Sequence, residues 1–231
     1  MKNKAPKKKN NRKKLVTYFN PKSPISEEFT SVKTNIEFTS IGKASKVIMI
    51  TSAEPDAGKS IIASNLAVVF AKQGKKTLLI DFDLRKPTQH RVFFSNNEVG
   101  VTGMLMRPET RRVAIQDTEM DCLQILTSGP IPPNPSEMLN TQGLEDLMES
   151  LCKEYDQIIL DAPPVLVASD ARIISRLADG ILFVIKSGAS ECKQIVKSID
   201  LLKQTQTKIL GAVLNNPFVE STKMYYTYGD N

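Results

Sequence analysis

The sequence predicts a three-layer α/β/α fold, with a mostly parallel central sheet between two sets of helices. Two observations predict it. Short β-rich runs recur at 46–52, 76–81, 122–127, 157–161, 180–186 and 208–214. Helix-length segments fall between most of them, at about 59–73, 136–153, 169–178 and 190–204. The runs are almost continuously apolar, the pattern of strands buried on both faces, and strands of that kind form parallel sheets with helical crossovers. In such sheets ligands sit beyond the carboxyl ends of the strands.

Taken in order, the chain opens with a basic tail. Residues 1–14 carry eight basic side chains (Lys2, Lys4, Lys7, Lys8, Lys9, Arg12, Lys13, Lys14) and no acid, so the net charge of +6 belongs to the tail and the rest is close to neutral. A solvated arm is one reading. Apposition to an anionic membrane surface is another, each nearby cation adding on the order of 1 kcal/mol. No aromatic platform or recognition motif points to nucleic acid. Residues 15–25, with Pro21 and Pro24, read as extended. A helix is expected from Ser26 as cap, with Phe29, Val32 and Ile36 on its apolar side.

At 231 residues the chain suits one α/β domain. The expected organisation is a disordered basic tail over 1–16, the folded domain over 17–219 and a flexible tail over 220–231. No stretch approaches the roughly 18 apolar residues of a membrane span, and the N-terminus lacks the apolar core of a secretory signal, so a cytoplasmic protein is expected. Cys122, Cys152 and Cys192 are dispersed and odd in number, reading as reduced thiols. His90 is the sole histidine, which excludes a multi-histidine metal site.

The first strand runs into Thr51-Ser52-Ala53-Glu54-Pro55-Asp56-Ala57-Gly58-Lys59-Ser60, and a helical pattern starting with Ile61 follows. This is the spacing of the Walker A motif, with Ala53 where its first glycine is usual. Backbone N–H groups from Ala53 to Ile61, all but Pro55, and the helix N-terminus would face phosphates. Lys59 would reach the β- and γ-phosphates, and the Ser60 hydroxyl would bind Mg2+. ATP with magnesium is the expected ligand. Two further acidic clusters end strands, Asp81-Phe82-Asp83 and Asp161-Ala162-Pro163-Pro164. On a regular strand Asp81 and Asp83, two apart, would point to one face. Acids there can hold a metal ion or accept a proton. Isolated turn or capping aspartates are the plainer alternative, and a poor one for three acids beside a phosphate loop.

The loop Thr51–Ser60 and the runs IDFDLRKP (80–87), SGPIPPNPSEML (128–139) and LDAPP (160–164) together resemble the bacterial tyrosine kinases of capsule and exopolysaccharide biosynthesis. The similarity is greatest to the cytoplasmic kinase subunit of Gram-positive bacteria and runs from about Thr17 to the end. It implies a P-loop NTPase fold in which Lys59, Ser60, Asp81, Asp83 and Asp161 form the catalytic centre, with magnesium held by Ser60, Asp81 and Asp161. It also implies a membrane-embedded activator, or polysaccharide co-polymerase, that keeps the kinase at the inner face of the membrane. Self-association for phosphorylation in trans and an opposing tyrosine phosphatase are implied likewise.

The C-terminus points the same way. Three of the five tyrosines, Tyr225, Tyr226 and Tyr228, fall in the last seven residues, in a polar segment with no core to join. They read as phosphate acceptors, or as a sticky end. Asp83 is the expected proton acceptor for the tyrosine hydroxyl, with Asp81 as rival. Arg85 and Lys86 could neutralise incoming phosphate or serve the surface. Asn215 could meet adenine, or end a strand in an ordinary turn. Pro130, Pro132, Pro133 and Pro135 are expected to stiffen a loop before a helix capped near Ser136.

Some residues depart from the family pattern. Asp56 stands where the loop's second glycine is expected and places a charge near the triphosphate. The oligomerisation motif Glu-x-x-Arg-x-Arg corresponds to Glu28, Ser31 and Lys33, so both arginines are absent, and lysine cannot reproduce their bidentate fork. The expected function is an autophosphorylating protein-tyrosine kinase. Two alternatives stand beside it, a ParA/MinD-like ATPase switch and a nucleotide-sensing regulatory subunit. Against the first, the signature lysine of those ATPases is Glu54 here.

Overall fold

The computed structural model describes residues 14–39 and 45–216. Seven strands form one sheet: β1 (Val47–Ser52), β2 (Thr77–Asp81), β3 (Ile115–Asp117), β4 (Leu123–Leu126), β5 (Gln157–Asp161), β6 (Gly180–Lys186) and β7 (Ile209–Asn215). Their order across the sheet is β3-β4-β2-β5-β1-β6-β7. All neighbours are parallel except β3 and β4, which are antiparallel.

Side-chain alternation divides the central strands between two cores. Ile48, Ile50, Leu79 and Ile159 face one side and pack with Ile62, Leu66, Val69 and Phe70 of α3 (Lys59–Lys72). Met49, Leu78, Ile80, Ile158 and Leu160 face the other. There they meet α8 (Gln142–Glu154) through Leu144, Met148 and Leu151, and α9 (Asp170–Ser175) through Ile174. A fully buried side chain of this kind contributes about 1.5–3 kcal/mol, against about 0–1 kcal/mol for an exposed ion pair. The two apolar layers therefore hold the sheet, and surface pairs such as Lys153–Glu149 are secondary.

Helix α3 is apolar nearly all round because it is covered twice, by the sheet below and by α1 (Val16–Phe19) and α2 (Pro24–Thr39) above. Thr17 donates its backbone N–H to Asn65 Oδ1 at 3.0 Å and its hydroxyl to the same atom at 2.9 Å. The Asn65 amide donates to the Lys14 carbonyl at 2.7 Å, and Leu15 is buried. The packed body thus includes Lys14 to Val16, three residues assigned from the sequence to a disordered tail.

Other local expectations need correction. Helix α2 begins at Pro24, which suits a first helical turn because proline lacks the N–H that would go unused there. Ser23 Oγ, not Ser26, accepts an N–H of that turn, from Ser26 at 3.2 Å. The segment expected as one helix over 136–153 breaks at Asn140–Thr141 into α7 (Pro135–Leu139) and α8. Ser136 lies inside α7 and bonds Asp170 rather than capping. Strand β3 and the helices α4 (Gln89–Val92), α5 (Gly100–Met106) and α6 (Arg111–Ala114) are too short to show a periodicity that sequence reading could recognise. Lys33 is buried and paired with Glu37 at 2.5 Å, while Glu28 and Ser31 are exposed. Among the described residues no helix is long and apolar enough to cross a membrane, and Cys122, Cys152 and Cys192 carry free thiols.

Candidate active site

Strand order brings the predicted residues together. Strand β5 lies between β1 and β2, with Asp161 in register with Ile50 on one side and Asp81 on the other. The ends of three neighbouring parallel strands, about 4.8 Å apart each, therefore open onto one rim of the sheet.

The phosphate loop follows β1 and is fastened to that rim. Thr51 donates its hydroxyl to the Pro163 carbonyl at 2.7 Å, and Ser52 donates to the Glu54 carbonyl at 2.7 Å. Two residues take left-handed backbone, Asp56 (φ 61) and Gly58 (φ 92). Aspartate is among the few residues that tolerate this region without glycine's freedom, which explains how Asp56 replaces the expected glycine. At Gly58 a Cβ would lie 2.1 Å from Asn215 Nδ2, so an added side chain would displace that amide as well as strain the left-handed backbone. Asn215, at the end of β7, donates to the Ala57 carbonyl at 2.8 Å and so braces the loop from the far side.

Lys59 and Ser60 begin α3. Lys59 Nζ lies 2.9 Å from Asp83 Oδ2, 3.3 Å from Asp161 Oδ1 and 3.3 Å from Ser60 Oγ. Burial alone would depress its pKa, but the charges of Asp161 and Asp83 outweigh burial and raise it. A cation already sits where the Ser60 and Asp161 oxygens converge. These hard donors suit Mg2+, which commonly takes one or two carboxylates and completes its shell with phosphate and water. Among the described residues no three His, Cys, Asp or Glu side chains form a full metal cage.

The two aspartates after β2 diverge. The strand ends at Asp81, so Asp83 sits in the loop that follows and the one-face expectation for a regular strand does not apply. Asp81 is fully buried and turned into the loop: Oδ2 accepts N–H bonds from Thr88 and Gln89 at 2.9 Å each, and Oδ1 accepts from Asp83 at 3.2 Å. Burial, with the Asp161 charge beside it, pushes its carboxyl up to about 7, against the pull of the Gln89 and Thr88 donors. Asp83 instead lines the open cavity, with Oδ1 held by the Lys86 N–H at 2.9 Å.

That cavity has a volume of about 390 Å³ and is lined by Pro55, Asp56, Gly58, Lys59, Ser60 and Ile61 of the loop and helix, and by Asp83, Pro163 and Pro164 opposite. Ala53 and Glu54 line an adjoining hollow against Val165 and Leu166. Arg85 does not point its charge freely at the cavity. Its Nε lies 2.7 Å from Asp170 Oδ2, an acid that burial would raise but that Arg85 and Ser136 hold below the usual carboxylate range. His90, half-buried, has its pKa lowered by burial and by Arg91. Tyr225, Tyr226 and Tyr228 lie outside the described residues.

Gln89 was missed by sequence reasoning. Wholly buried, it donates its amide to Asp161 Oδ2 at 2.8 Å and to the Ser60 carbonyl at 3.0 Å, and accepts the Ser64 hydroxyl at 2.7 Å. Its backbone N–H holds Asp81. One residue thus ties together the phosphate-loop helix and the end of β5 through its side chain, and the end of β2 through its backbone N–H. A glutamine eight residues past a strand-end aspartate carries no local signal of that role.

Residues 45–212 match the AAA domain family. A relative, tyrosine-protein kinase YwqD of Bacillus subtilis (strain 168), is 45% identical over 215 residues, 93% of this chain and 91% of the relative. The chain belongs to the bacterial tyrosine kinases. Solved structures of similar proteins agree. The chimerical protein CapA2B2 is 41% identical with a TM-score of 0.84, covering 87% of this chain and 89% of its own. The kinase domain of the Escherichia coli tyrosine kinase ETK is 33% identical with a TM-score of 0.85, covering 94% and 85%. Within this bacterial tyrosine kinase family the P-loop fold and nucleotide binding come as common property.

Proposed function

We propose that this protein transfers the γ-phosphate of ATP to tyrosine hydroxyls, and that Tyr225, Tyr226 and Tyr228 of a neighbouring copy are acceptors. The reading extends to a self-associating kinase at the inner face of the membrane. There it works with a membrane-embedded activator, a polysaccharide co-polymerase, in capsule or exopolysaccharide synthesis and is reversed by a tyrosine phosphatase. The observation that carries it is the convergence of Lys59, Ser60 and Asp83 on one cavity of about 390 Å³, with Asp161 buried behind Lys59 and 3.3 Å from its Nζ.

The chemistry asks the protein mainly for placement and charge. Loop N–H groups and the α3 N-terminus hold the β- and γ-phosphates, and Lys59 leaves Asp83 for the phosphate oxygens. That exchange frees Asp83 Oδ2 beside the site where a tyrosine oxygen must approach. Asp83 then takes the phenolic proton, the tyrosine oxygen forms a bond to the γ-phosphorus, and the bond to the ADP oxygen breaks. Ser60 Oγ and Asp161 would hold magnesium, which would supply neutralisation of the phosphate charge. Asp81, engaged by three backbone donors, shapes the loop that carries Asp83, and in this reading Asp83 takes the proton in its place.

The test is incubation of the full chain with labelled ATP, magnesium and an activator-containing membrane fraction, followed by phosphotyrosine mapping. Label on Tyr225, Tyr226 or Tyr228, lost in Lys59→Met, is the expected result. Release of free phosphate alone would favour an ATPase switch, and neither product a nucleotide-sensing subunit.

A further inference from the structure

The cations that line the nucleotide cavity are of two kinds. Lys59 is matched by Asp83 and Asp161, and Arg85 by Asp170. Lys14 and Lys86 line the same cavity, yet no acid among the described residues pairs with either. Lys86 follows β2 and is positioned by its own N–H on Asp83. Lys14 comes from the other end of the sequence and is fixed by its carbonyl, which accepts the Asn65 amide. The same asparagine holds Thr17, and Lys72 Nζ reaches the Thr17 carbonyl at 2.5 Å, so the arm is pinned along α3. Further along, Tyr18 donates to the Glu119 carbonyl between β3 and β4. The arm therefore runs on the β2–β4 side of the loop, away from Asn215 on β7.

We propose that Lys14 and Lys86 form a second phosphate-binding subsite on the β2 side of the cavity, with Lys14 delivered to it by the arm clamped on Asn65. Two lysines that line one cavity and that no acid among the described residues pairs suit a dianion better than a neutral group, because each adds attraction without first breaking such an ion pair. The inference rests on the proposed kinase reading for the source of the anion. A phosphate can reach that lip in two ways: as the terminal phosphate of the nucleotide, or as a phosphotyrosine next to the tyrosine being modified. The adjacent tyrosines of the C-terminal cluster make the second the expected source.

Calorimetric titration of the full chain separates these. Saturated with ADP and magnesium, it receives a peptide of residues 220–231 phosphorylated at Tyr226, or its unphosphorylated form; without ADP, it receives ADP or a non-hydrolysable ATP analogue. Lys14→Met and Lys86→Met are each expected to weaken the phosphopeptide about five- to tenfold, leaving the plain peptide and ADP unchanged. A loss confined to the ATP analogue assigns the subsite to the nucleotide's terminal phosphate. Unchanged affinity for both phosphate sources overturns the subsite. Asn65→Ala should reproduce the Lys14→Met loss, and the double variant should lose no more than either single one; fully additive losses overturn delivery by the arm. Wild-type protein that fails to bind ADP would instead sink the nucleotide reading itself.

Discussion

Lys59 Nζ lies 2.9 Å from Asp83 Oδ2, so the phosphate-loop cation and the expected proton acceptor neutralise each other before nucleotide arrives. Binding of a triphosphate exchanges that ion pair for a lysine–phosphate contact and leaves the carboxylate beside the acceptor's path. Asp83→Asn should keep ADP affinity within about threefold while tyrosine phosphorylation falls by about 10²–10⁴, the span of lost general-base catalysis. Asp81→Asn should instead show its main loss in denaturant melts, about 1–3 kcal/mol, because it leaves buried backbone donors short of an acceptor. Equal catalytic loss with intact stability in Asp81→Asn would reverse the two roles.

Gln89 links Asp161, Ser60 and Ser64 through one amide. Gln89→Leu removes those bonds and leaves Asp161 Oδ2 facing an apolar group. A stability loss of about 1–3 kcal/mol is expected, with kcat falling more than KM for ATP. Gln89→Glu sets a second carboxylate against Asp161 and should weaken the nucleotide-free fold further, in part restored by magnesium and ADP. Melting curves with and without ligand read this directly.

The Arg85–Asp170 pair gives a pH signature. The folded carboxyl of Asp170 is held below its ordinary value although burial opposes this. An unfolded aspartate titrates near about 3.9, so the pair's stabilisation is present above that pH and is lost as pH falls through the lower folded value. Arg85→Met removes the partner and leaves a buried charge, costing about 1–2 kcal/mol at neutral pH after allowance for the half-exposed guanidinium. The difference between wild type and variant should shrink on acidification below about pH 4.

Asp56 occupies left-handed backbone at φ 61, beside the cavity and exposed. Asp56→Gly relieves a conformation that costs a non-glycine residue roughly 1 kcal/mol and removes a negative charge near the phosphates. ADP should bind about two- to fivefold tighter, an effect that shrinks as salt is added. Weaker binding would mean that the aspartate supports the loop.

Much of this molecule is legible in its sequence. Six strands and the helix after Gly58 announce themselves through apolar runs of the right length. Lys59 and Ser60 are recognisable because a strand, a loop of that spacing and a helix follow one another directly between Val47 and Lys72. What escaped was short or distant. Strand β3 has three residues and one apolar side chain, and the break at Asn140–Thr141 interrupts a pattern that reads as continuous. Lys14 reads as part of the tail because its neighbours are basic, although Asn65, 51 residues away, holds its carbonyl in place.

The sequence by itself determined which residues stand at strand ends and helix starts, since burial and backbone preference repeat locally along the chain. Only the tertiary structure decided that β5 lies between β1 and β2, that Asp83 faces the cavity while Asp81 turns into its own loop, and that Gln89 joins Asp81 to Asp161. Those choices depend on which strands become neighbours and which polar groups must find partners once water is excluded, and neither is written in any local periodicity.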